Sequence, residues 1–126
     1  MPAEVSWHRE SRVIYIRAWG DLTLDEMRES STIQEQYVRE GDPPVHSIID
    51  ITDLNDPGVR NLVQFRGAIM DPNTPGVGWI VIVGSNRIIH FMGSVAAQLS
   101  GVNLRLVSTV EEAVQTLARV DSTLTV

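Results

Sequence analysis

Trp79-Ile80-Val81-Ile82-Val83 is an uninterrupted apolar run closed by Gly84, and the segment that follows has apolar residues at helical spacing. A short continuous run bounded by turn residues suits a strand covered on both faces, the usual situation in a sheet flanked by helices. The Ile48-Ile49 pair and Ile51 repeat the pattern earlier in the chain, again before a turn and a helical segment. Two such strand-turn-helix units largely dictate a layered α/β sheet with crossover connections, because parallel neighbours must be joined across a face.

The rest of the chain fits around these units. Val5 to Arg9 and Arg12 to Trp19 read as a β-hairpin, the second segment being rich in β-branched and aromatic residues. Thr23 followed by Glu26 is a capping-box pattern for a helix to about Glu40, with Met27, Gln34, Tyr37 and Val38 as a thin inward stripe. Gly41-Asp42-Pro43-Pro44 stops that helix, and His46 to Thr52 forms the third strand. Asp56 and Pro57 suit the cap and first turn of a helix carrying Val59, Leu62, Val63, Ile69 and Met70, with Phe65 widening its apolar side. A helix over Asn86 to Leu99 places Ile88, Phe91, Met92, Val95, Ala96 and Leu99 inward. Leu104 to Val107 makes a fifth strand, Ser108 and Glu111 a second capping box for a helix through Val120, and 121–126 a frayed tail. The expected fold is α/β, a five-stranded mixed sheet with four helices in the order β-β-α-β-α-β-α-β-α, as one domain over 1–126.

Composition narrows the chemistry. At 126 residues and 14.0 kDa the chain can bury a core without disulfides, and it has no cysteine. Its formal charge of −6 and the absence of a basic cluster argue against a nucleic-acid partner. All ten basic residues are arginine, which removes Schiff-base chemistry and a P-loop lysine. No apolar run is long enough to span a bilayer and the start resembles no signal peptide, so the expected location is cytoplasmic, without membrane insertion.

The motifs give few catalytic leads. Asp50, Asp53 and Asp56 offer oxygen ligands three apart, but lack the alternate spacing and closing Glu of a calcium loop, so no metal is expected. His8, His46 and His90 form no zinc spacing, and no serine sits in a nucleophile elbow. Gly84-Ser85-Asn86-Arg87 follows a buried strand and opens a helix, where free N–H groups and Arg87 suit an anion; a plain helix cap by Ser85 or Asn86 is the competing reading. Ile89, Phe65 and Trp79 fall outside the core stripes, and Ile89 with Gly93 offers a close-approach surface for a homodimer.

The element order, with Trp19-Gly20-Asp21-Leu22-Thr23, Ile48 to Leu54 and Val107 to Ala113, resembles the STAS domains, and within them the SpoIIAA-like group of the sporulation anti-sigma-factor antagonist. The resemblance implies a non-enzymatic regulatory or protein-interaction module without a cofactor. In phosphorylated members a serine follows an Asp at the start of the helix after the third strand. The matching residues here are Asp56-Pro57-Gly58, where Pro57 has no hydroxyl to modify; Thr52 is a substitute outside the motif. The expected contact surface for a protein partner of unknown identity is therefore Asp53, Asn55, Asp56 and Gly58. The resemblance extends to Sec14-like lipid-transfer folds, which implies as the alternative a domain binding a small apolar ligand or lipid, with an internal cavity of several hundred cubic ångströms as its signature.

Overall fold

The computed structural model describes residues 3–71, 73–101 and 103–124. A five-stranded sheet runs in the order β1 (Ala3–Arg9), β2 (Val13–Asp21), β3 (Val45–Asp56), β4 (Val77–Val83) and β5 (Leu104–Val107). β1 pairs antiparallel with β2, and each later pair is parallel. The parallel neighbours are joined by α1 (Leu24–Glu40), α2 (Leu62–Ala68) and α3 (Arg87–Ser100), and α4 (Val110–Val120) follows β5. The mixed α/β order expected from the sequence is the one observed.

The period-2 geometry of the strands divides the core. Ala18, Ile51 and Ile82 point to one side, where they meet Met27 of α1, Phe65 and Ala68 of α2, and Ile89 and Met92 of α3. Val13, Ile48, Val81 and Val83 point to the other, where Ala113 and Leu117 of α4 cover them. Three helices thus lie on one face and one helix on the other. Among the described residues no helix is long and apolar enough to cross a membrane.

Four local expectations are corrected. β3 extends to Asp56 rather than ending at Thr52, because β2 continues beside it, with Trp19 opposite Asp53 and Asp21 opposite Asp56. Asp56 and Pro57 consequently do not open α2, whose cap is Asn61, the side chain accepting from Gln64 N. In α4 the cap is Thr109, one residue beyond Ser108, accepting from Glu112 N. α3 is rotated from its expected setting: Ile89 is buried, whereas Ile88 is 44% exposed and Phe91 68%. Of the supposed surplus, Phe65 and Ile89 are core residues and Trp79 is half-buried. The Ala96 and Leu99 side chains lie outside the described set.

The segment after α4 is docked rather than frayed, at least to Leu124, which is buried against the α4-side core. The Asp121 carboxylate accepts hydrogen bonds from Arg12 at 2.9 Å and from His46 Nε2 at 2.8 Å. His46 is buried, and its Nδ1 accepts from Trp79 N, so Nε2 carries the hydrogen given to Asp121. Gly78 makes room for this ring, since a Cβ there would lie 2.4 Å from Nδ1. The His46 hydrogen bond, aided by Thr123, holds the Asp121 carboxyl well below the usual carboxylate range. Residues 125 and 126, the end of the expected tail, lie outside the described residues.

Candidate functional site

Two regions merit comparison as sites. The first is the acidic end of β3. Asp50 accepts from Tyr15 Oη at 2.7 Å and from the Thr52 hydroxyl at 2.6 Å. Burial opposes ionisation of Asp50, but the hydrogen bonds from Thr52 and Tyr15 outweigh it and hold the carboxyl low. The same environment pushes the Tyr15 hydroxyl up to about 12, through burial first and then the Asp50 hydrogen bond. Asp53 pairs with Arg17 at 3.1 Å, and Arg17 lies over the Trp19 ring. Asn55 donates to Asp21 at 2.8 Å. Asp56 accepts from Gly58 N and from both terminal nitrogens of Arg60, and these contacts lower its pKa.

The three aspartates therefore turn to different partners instead of converging, and no metal-holding group of His, Cys, Asp or Glu occurs among the described residues. Pro57 is fully buried, and Gly58 has φ +77°, with a position where Cβ would lie 2.1 Å from Leu22 O. That junction fastens the end of β3 against the start of α1, reinforced by Leu22 N donating to Asp56 O at 2.7 Å.

At Gly84-Ser85-Asn86-Arg87 the Asn86 side chain accepts from Ile88 N and Ile89 N, each at 3.1 Å. Those are the amides that an anion would have used, so Asn86 fills the capping role. His90 Nε2 lies 2.6 Å from Gly84 O, which fastens the first turn of α3 to the end of β4 rather than linking His90 to Ser94.

The second region is a cavity of about 130 Å³ between the sheet and α1, α2 and α3. The sheet contributes Ile49, Ile51, Ile80 and Ile82, α2 contributes Phe65, and α3 contributes Ile89 and Gly93. α1 contributes Met27 together with Ser30, Ser31 and Gln34, the polar side chains of an otherwise apolar wall. None of the lining residues is charged. Gln34 is only 4% exposed, and its Nε2 donates to Ser47 Oγ at 3.0 Å. Ser30 donates to Met27 O and Ser31 to Ala68 O, which joins α1 to α2 beside the cavity.

Of these residues the sequence pointed to Met27 and Gln34 on α1 and to the strand isoleucines as inward-facing, but not to a void. A gap depends on how helices sit over a sheet, and residue periodicity carries no such information. The one available signal was Ser30, Ser31 and Gln34 clustered beside an apolar helix stripe.

A scan against protein-family models finds no match, and comparison with curated proteins finds none either. Among solved structures the chain is similar to an uncharacterised DUF3478-family protein with a SpoIIAA-like fold from Shewanella loihica PV-4. The TM-score is 0.67 at 15% sequence identity, covering 91% of this chain and 93% of that one. The present chain has a SpoIIAA-like fold.

Proposed function

We propose that this domain is a non-enzymatic binding module that takes a small apolar molecule into the cavity between the sheet and α1, α2 and α3. The observation that carries the reading is the cavity itself, about 130 Å³ of unfilled space with an almost wholly apolar lining. Native cores are packed to crystal-like density, and an apolar cavity of comparable size, ~150 Å³, stays dry and admits benzene. The space is well short of the several hundred cubic ångströms expected for a lipid site, which turns the alternative toward compact ligands. Toluene at saturation should raise the melting temperature, by roughly 3–6 °C for each kcal/mol of binding linkage. An unchanged melting temperature with no toluene-bound species in native mass spectra would count against the reading.

A second reading, a regulatory module that meets a protein partner, draws on a different observation. Val63, Ile88 and Phe91 are large apolar side chains exposed on α2 and α3, while Asp53 and Asn55 stand exposed at the end of β3. The homodimer surface suggested by Ile89 and Gly93 is not available for this purpose, since both are buried. In this reading the domain carries no phosphoswitch, and incubation with candidate kinases leaves its intact mass unchanged; an 80-dalton gain localised to Thr52 would overturn that. Substituting Phe91→Ser should abolish partner capture while leaving toluene binding intact, which separates the two readings.

A further inference from the structure

We infer that the ligand of this cavity is an uncharged, phenol-sized molecule whose single polar group is a hydroxyl recognised by Gln34. The inference rests on the cavity being the binding site and adds to it the chemical class of the occupant.

Three features carry it. No cation lines the cavity, so a carboxylate or phosphate brought into it would leave water without compensation, at a prohibitive cost. The volume of about 130 Å³ matches one aromatic ring and is too small to enclose a long acyl chain. The polar groups lie together on α1, and most of their donor capacity is already used: the Ser30 and Ser31 hydroxyls donate to the Met27 and Ala68 carbonyls. Gln34 gives one of its two amide hydrogens to Ser47, and because no buried side-chain nitrogen or oxygen among the described residues lacks a partner, its carbonyl oxygen, which accepts from none of them, is reachable by a water-sized group.

A primary amide both accepts and donates, and Gln34 retains one unused function of each kind. A hydroxyl is its small complement, able to donate to the carbonyl oxygen and to accept from the second N–H. An entirely apolar cavity would take toluene and reject phenol, because burying an unpaired hydroxyl forfeits its hydrogen bonds to water. Gln34 removes that penalty.

The test compares toluene, phenol and benzoate at neutral pH by calorimetric titration of the full chain, then repeats the series with Gln34→Met, which keeps length and removes the amide. Toluene and phenol should bind the natural protein with dissociation constants within a few-fold of each other, and benzoate should not bind. In Gln34→Met, phenol should weaken about tenfold relative to toluene. Binding of toluene without phenol to the natural protein would overturn the hydroxyl assignment while leaving the cavity reading intact. Failure of both to bind would overturn the cavity reading, and this inference with it. Equal losses of toluene and phenol in Gln34→Met would also contradict the assignment. If Gln34→Met fails to fold, the toluene-phenol-benzoate comparison on the natural protein decides alone.

Discussion

At the carboxyl end of β3, Asp53, Asn55 and Asp56 are each met by a partner from the chain itself: Arg17, Asp21 and Arg60. On the three-helix side of the same sheet the apolar core stops short, leaving about 130 Å³ unfilled, with the Gln34 amide on its wall. The first region is conspicuous in sequence and internally complete. The second is nearly silent in sequence and incomplete. Polar residues in a suggestive pattern need not await a ligand when each already has an intramolecular partner, whereas missing van der Waals contacts in a core leave a place where one can be gained.

The contrast can be broken most severely at Gly58. A Cβ there would meet Leu22 O at 2.1 Å while φ stays at +77°, so Gly58→Ala should cost ~3 kcal/mol or more in a denaturant titration. A tolerated alanine would mean that the junction is a loose loop rather than a brace.

Next is the clasp that docks the chain end on the α4 side. Asp121→Ala leaves His46 Nε2–H without its acceptor and removes the carboxylate partner of Arg12, which keeps Pro44 O and Thr123, and should cost about 2–3 kcal/mol. Because the Asp121 pKa is lowered on folding, its contribution is present above the unfolded value of about 4 and is lost as pH falls through the folded one. The natural protein should therefore lose stability in acid more steeply than Asp121→Ala, as read from melting temperatures across an acid series.

Gly93→Ala sharpens the contrast with a smaller effect of opposite sign. An added Cβ would meet Ile82 Cδ1 at 3.5 Å and Leu104 Cδ2 at 3.6 Å, both ordinary contacts. Alanine should thus stabilise α3 by ~0.5–1 kcal/mol while narrowing the cavity and weakening toluene binding. The smallest effect belongs to Arg60→Ala, which removes an exposed i,i+4 pair with Asp56 and should leave the melting temperature unchanged.

Much of the scaffold was legible because it rests on local rules. The run from Trp79 to Val83, the Thr23-Glu26 capping box and the stripe of Met27, Gln34 and Val38 all behave as periodicity and capping chemistry require. The end of β3 is not legible locally, because Asp56-Pro57 has the chemistry of a helix start and it is the neighbouring β2 ladder that keeps the segment extended. The inward face of α3 is ambiguous because apolar residues occur on nearly every side of it: spacing picks Met92 correctly, but it also picks Ile88 and Phe91 where packing buries Ile89. The polar tail residue Asp121 gave no sign of its partners, Arg12 and His46, which lie far from it in sequence. The cavity was beyond the sequence for the same reason: it belongs to the distance between α1, α2, α3 and the sheet.

The central claim is that this space takes a compact apolar guest, and methyl-labelled protein titrated with toluene tests it most directly. Met27, Ile82 and Ile89 methyl resonances should shift saturably together, while Val81 and Leu117 on the α4 side of the sheet stay fixed. Unshifted cavity methyls up to the solubility limit of toluene, or shifts spread equally over both faces, would contradict the account.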